Sequence, residues 1–250
     1  MSAESFLCAF DAGPAFPDAR PGQFVHVRTH ADLTLRRPFS VAAVTGPGRF
    51  ELLIRRRGKG TDALVSLPVG AQIPVIGPLG NAFTQPGPGE TAVLVAGGIG
   101  AAGLRLLAQT LAGRGGRLLA LVGAGTAAGL LDGALPRPTP DGRVSVEVAT
   151  DDGSRGFRGT VCALLERALP GVAGTARVYC CGPAPMLSAA SRTALAAGLA
   201  CEVLVEEIMA CGVGACRGCV VSTRHGYRAA CSDGPVFDAA EVLFEGDERG

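Results

Sequence analysis

The chain has 250 residues, 48% of them hydrophobic and 18% charged, with a formal net charge of +1. That is enough apolar material for a sizeable core, in one large domain or two to three small modules. Near-neutral charge, the lack of a basic stripe and only 5% aromatics argue against a nucleic-acid partner, and the longest apolar stretches, residues 91–104 and 118–131, fall short of the roughly 20 residues that span a bilayer.

The opening residues carry Glu4 and Asp11 and no basic run, which predicts no export signal and a cytoplasmic chain without a membrane partner. From there to residue 84 the pattern is short strands, at 24–28, 40–44, 51–56 and 72–76, with turn signals such as Gly46-Pro47-Gly48 between them. One weak helical patch lies near 61–67. Many short strands with regular turns predict an antiparallel β-barrel. Its loops hold Arg36-Arg37-Pro38-Phe39-Ser40 and Arg55-Arg56-Arg57-Gly58-Lys59-Gly60-Thr61. An arginine beside a rigid proline and a hydroxyl can hold a phosphate; a solvated basic loop is the plainer reading of the same residues.

The middle of the chain changes period. Strands are predicted at 91–96, 118–122, 144–149, 177–181 and 199–205, with helices at 101–112, 160–169 and 185–197. Alternating strands and helices predict a doubly wound parallel sheet with its ligand at the carboxyl ends of the strands. Two of those ends are rich in glycine, Gly97-Gly98-Ile99-Gly100 and Cys181-Gly182-Pro183. Gly98, Gly100 and Gly103 match G-x-G-x-x-G in form, yet no acidic residue follows the second strand to hold a ribose. A backbone nest for a pyrophosphate and a glycine turn that packs a helix against the sheet both fit.

Four of the nine cysteines stand together, at Cys211, Cys216, Cys219 and Cys231, a C-x4-C-x2-C-x11-C run. In a reducing compartment clustered cysteines bind metal or do redox work more often than they form disulfides. The first three have the spacing of plant-type [2Fe–2S] ligands. Gly212, Gly214 and Gly218 are expected to take positive φ so that backbone N–H groups can aim at the sulfurs. A structural zinc site is the alternative, although zinc sites usually pair two short knuckles. The three histidines, His26, His30 and His225, form no constellation and read as ordinary surface or strand residues.

Taken in order, Arg37-Pro38-Phe39-Ser40, Gly60-Thr61, Gly97–Gly100 and the stretch from Cys181 to Leu187 resemble the ferredoxin–NADP reductase superfamily. The run from Glu206 to Cys219 and the trailing Asp233-Gly-Pro-Val-Phe-Asp238 resemble the electron-transfer subunits of type 1B dihydroorotate dehydrogenases. The resemblance implies a β + α/β fold: an N-terminal antiparallel flavin-binding β-barrel over residues 1–86, a doubly wound parallel-sheet nucleotide domain over 87–205, and a small C-terminal iron–sulfur domain over 206–250. It implies that Arg37, Pro38, Phe39, Ser40, Ile54, Arg55, Arg56, Gly60 and Thr61 bind FAD. Gly97, Gly98, Ile99, Gly100, Cys181, Gly182 and Pro183 would receive NAD(H), and Cys211, Cys216, Cys219 and Cys231 would hold the cluster. The implied partner is an FMN-containing dihydroorotate dehydrogenase catalytic subunit in a heterotetramer of pyrimidine biosynthesis. A reductase subunit of a hydrogenase or of a ferredoxin-dependent transhydrogenase shares the same parts. Three departures stand out: Gly103 replaces the usual proline, Arg217 sits where a bulkier uncharged residue is common, and the chain begins late, which leaves the first barrel strand in question.

Overall fold

The computed structural model describes residues 4–30, 32–172 and 174–244. The N-terminal strands are β1 (Ser5–Asp11), β2 (Phe24–Val27), β3 (Arg37–Ser40), β4 (Ala43–Gly46), β5 (Arg49–Arg55) and, after helix α1 (Lys59–Val65), β6 (Val75–Leu79). They form two antiparallel three-stranded sheets, ordered β1-β5-β4 and β3-β2-β6. Val25, Val27, Val41, Phe50, Leu52, Ile54 and Leu64 fill the core between them. The first barrel strand is therefore present: β1 pairs with the full length of β5, from Ser5 opposite Arg55 to Asp11 opposite Arg49. The expected strand at 40–44 is two strands, because the chain turns between Ser40 and Ala43 to cross from one sheet to the other.

The second half contains β7 (Thr91–Gly97), α2 (Ala101–Gly113), β8 (Leu118–Ala124), β9 (Val144–Thr150), β10 (Phe157–Arg158), α3 (Val161–Ala168), β11 (Ala176–Cys181), α4 (Ala184–Ala196) and β12 (Ala200–Leu204). In the sheet order β10-β9-β8-β7-β11-β12 all neighbours are parallel. Ala92–Ala96 of β7 are wholly buried, as a central strand covered on both faces demands. On α2 the buried Ala101, Leu104, Leu107, Ala108 and Leu111 recur at the three- and four-residue spacing of one helix face.

The C-terminal segment adds a hairpin, β13 (Val220–Thr223) and β14 (Gly226–Ala229), and then β15 (Val236–Asp238), which pairs antiparallel with β12 at the sheet edge. Asn81, just past the barrel, fastens this return. Its side-chain amide donates to the Val236 carbonyl (2.7 Å) and accepts from the Val236 amide (2.9 Å), and its backbone N–H donates to Gly234 (2.6 Å).

A second tie joins barrel and nucleotide module. Arg105 of α2 reaches Glu51 of β5 at 2.6 Å and donates through Nε to the Ala134 carbonyl, with the two side chains only 16% and 20% exposed. Removing one partner strands the other in a largely dry site. Arg105→Ala is expected to lower unfolding free energy by about 2 kcal/mol, read from urea denaturation. Adding Glu51→Gln to that variant should recover part of the loss.

Candidate functional site

A cavity of about 820 Å³ opens where the three parts of the chain meet, large enough for a cofactor. The barrel contributes Arg37, Pro38, Phe39 and Ser40 from β3, and Leu53, Ile54, Arg55, Arg56 and Arg57 from the end of β5. Thr61 lines it from α1, Ile99 from the turn before α2, Ala102 from the start of α2, Leu204 from the end of β12, and Val205–Met209 and Pro235 from the segment beyond. Four arginines on one wall suit an anionic pyrophosphate, and the apolar Phe24, Phe39, Leu53 and Ile54 suit a flat ring. The residues present thus fit a flavin dinucleotide. Arg37 is held by its own loop, donating through Nη1 to the Leu35 (2.7 Å) and Arg36 (3.2 Å) carbonyls. Gly60 packs directly beneath it: a Cβ there would stand 3.1 Å from Arg37 Nε. The Thr61 hydroxyl accepts from the Arg57 and Gly58 amides, fixing the arginine-rich turn.

The glycine-rich strand ends pack against each other, and of their residues Ile99 lines the cavity. Gly97, Gly98, Ile99 and Gly100 form the last residue of β7 and a 3-10 turn. Gly98 takes φ of 54° and faces Arg55. A Cβ on Gly100 would stand 2.1 Å from the Cys181 carbonyl oxygen, and one on Gly97 would meet Met186 and Pro183. Gly103 likewise has Cys181 Sγ at 2.9 Å from the position of a Cβ. The G-x-G-x-x-G pattern is thus explained by packing of α2 onto the turn at Cys181-Gly182-Pro183. Ser40, Cys181 and Glu206 gather around that contact. Cys181 is buried, and burial pushes its thiol well up. Glu206 opens onto the cavity, but the surrounding protein strips enough water to raise its carboxyl above the usual range, with Arg57 pulling the other way.

The four cysteines come together at the opposite end of the same segment. Cys211 and Cys216 approach each other, as do Cys219 and Cys231. Among the described residues no three His, Cys, Asp or Glu side chains converge on a single ion position. Two thiol pairs are what a two-iron cage requires, one pair per iron. Backbone amides already aim at the sulfurs: Gly214 at Cys231 (3.0 Å), and Val213 and Cys216 at Cys211 (both 3.5 Å). Gly212 and Gly214 have positive φ as expected, but the third such residue is Arg217 (φ 55°), not Gly218. A left-handed non-glycine costs roughly 1–2 kcal/mol, so the loop turns on Arg217 against its own preference. Cys219 and Cys231 are buried, whereas Cys216 is exposed.

The sequence reading missed Phe24 and residues 204–209 as cavity walls. It also took His26 for an ordinary strand residue, whereas the structure buries it completely beneath the cysteine loop, against Gly212. The one signal for residues 204–209 was position, since the segment runs straight into Cys211.

The thiols differ in character. The Cys216, Val213 and Ala215 amides hold Cys211 down at about 6, whereas burial and the neighbouring Cys219 thiol push Cys231 up to about 11. In metal-free chain, Cys211 is therefore expected to be half-maximally alkylated by iodoacetamide near pH 6, with Cys231 unreactive until strongly alkaline pH. Mass spectrometry of digests across a pH series checks the order.

Comparison with known proteins agrees with this arrangement. Residues 206–243 match the family described as the iron–sulfur cluster binding domain of dihydroorotate dehydrogenase B, and residues 17–83 match the oxidoreductase FAD-binding domain. The chain is 40% identical over 253 aligned residues to the dihydroorotate dehydrogenase B (NAD(+)) electron transfer subunit of Desulforamulus reducens, covering 98% of this chain and 95% of that protein. It is 38% identical to the subunit of the same name from Geobacillus thermodenitrificans, over 89% and 86% of the two chains. Among solved structures it is similar to a chain of the NADH-dependent reduced ferredoxin–NADP oxidoreductase, a protein studied for flavin-based electron bifurcation. The TM-score is 0.84 with 29% identity, over 98% of this chain and 87% of that one. On its cavity, its paired thiols and its full-length likeness, the chain belongs to the family of dihydroorotate dehydrogenase B electron transfer subunits.

Proposed function

We propose that the chain carries electrons between NAD(H) and the FMN of a separate dihydroorotate dehydrogenase catalytic subunit, through FAD and a [2Fe–2S] cluster. One observation carries this reading: the segment Leu204–Met209 walls the flavin-sized cavity and, two residues on, becomes Cys211 of the thiol cage. Bound flavin exchanges a hydride with nicotinamide and electrons singly with an iron–sulfur cluster, so its place is between the two.

The residues divide the work. Arg37, Pro38, Phe39 and Ser40, with Ile54, Arg55, Arg56, Gly60 and Thr61, hold FAD, its pyrophosphate on the arginine side. Gly97, Gly98, Ile99, Gly100, Cys181, Gly182 and Pro183 admit the nicotinamide, because glycine turns leave backbone rather than side chain at the strand ends. Glu206, its carboxyl raised by desolvation, opens onto the same cavity and could exchange a proton with a flavin bound there. Cys211, Cys216, Cys219 and Cys231 are the cluster ligands. In this reading the boundaries follow 1–86, 87–205 and 206–250, with β15 returning across the last of them. Nine free cysteines suit a cytoplasmic setting, and among the described residues no helix is long and apolar enough to cross a membrane.

The partner surface is the cysteine loop. Ile208, Val213, Val220 and Tyr227, between 43% and 85% exposed, stand before, within and after it. Arg217 and Arg228 line a small groove with the last two. Exposed apolar side chains around an electron port suit a docking face that excludes water. By resemblance, the assembly is a heterotetramer with the catalytic subunit. The transhydrogenase-type reductase subunit is the second reading, favoured by the TM-score of 0.84, against 35–40% identity with the dihydroorotate dehydrogenase B relatives.

Purified holoprotein is expected to contain flavin, iron and acid-labile sulfide, the last two in equal amounts. Cys216→Ser should abolish orotate formation coupled to NAD⁺ in the reconstituted complex while NADH still bleaches the flavin; full coupled turnover would sink the proposed route. Tyr227→Glu should weaken association with the catalytic subunit about tenfold or more, roughly 1–2 kcal/mol, with NADH-dependent flavin reduction unchanged, as titration calorimetry and stopped-flow spectroscopy would report.

A further inference from the structure

Strand β2 has an unusual second face. Val25 and Val27 point into the barrel core. Phe24 and His26 point the other way, Phe24 into the flavin-sized cavity and His26 under the cysteine loop. His26 is 0% exposed, and neither ring nitrogen has a hydrogen-bond partner. A buried polar group left in that state is costly, so its surroundings matter. A Cβ on Gly212 would stand 2.6 Å from Nδ1. The backbones of Met209 and Cys211 on the loop side, and of Arg36 on the barrel side, favour a ring N–H, while burial and the Arg36 charge hold the ring neutral. Gly212 itself takes φ of 74°, the turn that brings the loop down onto the ring.

We infer that His26 is a positioning residue for the cluster: as the loop closes on the cage, its one ring N–H takes the Cys211 carbonyl, which turns the next amide in the chain toward the thiols. The inference rests on the iron–sulfur reading of that cage. Its stereochemistry is that of the trans peptide, in which C=O and N–H point in opposite directions. A carbonyl of Cys211 drawn toward His26 sends the Gly212 N–H the other way, to the side of the sulfurs. This amide would join those of Val213, Gly214 and Cys216, which already face sulfur. Donors aimed at an anionic cluster favour its reduced state and raise its potential. The same strand thus touches the flavin cavity through Phe24 and sets the cluster's electron affinity through His26.

The test is a redox titration of full-length holoprotein, with the reduced cluster followed by electron paramagnetic resonance and flavin content measured alongside. His26→Phe keeps bulk and removes the donor; His26→Gln keeps a donor. The Phe variant is expected to shift the flavin–cluster electron distribution about tenfold toward flavin, a drop of about 59 mV for a one-electron couple, with flavin content unchanged. The Gln variant should recover most of it. Equal potentials in all three proteins overturn the inference, and so does a loss of iron in Phe that Gln fails to relieve. Should His26→Phe not fold, the wild type still decides: with ¹⁵N-labelled histidine, one ring N–H must exchange slowly and show paramagnetic broadening from the cluster. Its absence refutes the role of His26, whereas absence of iron and sulfide from the wild type refutes the cage itself.

Discussion

Everything electronic in this molecule depends on how firmly the C-terminal segment is returned to the nucleotide sheet. Electron tunnelling falls steeply with distance, so a cage on a loose tail would be useless. The chain solves this by making Val236–Asp238 the last strand of the large sheet, antiparallel to β12, and by using one side chain as a stand-in for a further strand. The Asn81 amide both donates to and accepts from the backbone of Val236, which is what a neighbouring strand does. Because Asn81 is the first residue but one after β6, the clamp ties barrel, sheet and cage at a single point. Gly80 must be glycine for this approach: it takes φ of 76°, and a Cβ would stand 2.5 Å from Pro235.

The same principle explains which features were legible in the sequence. The parallel strands could be read because strands buried on both faces are unbroken apolar runs, and residues 91–96 and 118–122 are such runs. The cysteine spacing could be read because ligation imposes it directly. What escaped was whatever depends on a distant partner. β1 puts Phe6, Cys8 and Phe10 on one face, but Leu7 and Ala9 on the other blur the alternation, and it is held as a strand by β5 beside it. β15 holds three residues and owes its existence to β12. His26 looked ordinary because burial is invisible in a strand of four residues. The expectation that Gly218 would supply a left-handed turn failed because Arg217 supplies it one residue earlier.

Glycine usage separates packing from recognition. Gly97, Gly100 and Gly103 are each required by the close approach of α2 to the Cys181 turn and to Met186. Recognition is left to Gly98, which faces Arg55, and to the arginines of the barrel rim. The fingerprint-like spacing in the sequence thus records how tightly helix and sheet are pressed together beside the cavity. That compactness presses the Cys181 turn onto the glycine turn whose Ile99 opens onto the cavity.

The uneven exposure of the four thiols has a consequence for the subunit before assembly. Cys219 and Cys231 are sealed in, while Cys216 looks outward. An opening that lets electrons pass also lets dioxygen and chelators enter. Shielding of that corner falls to the protein that exchanges electrons there, so the unassembled chain carries its metal at risk, and complex formation protects the very centre it is built to use.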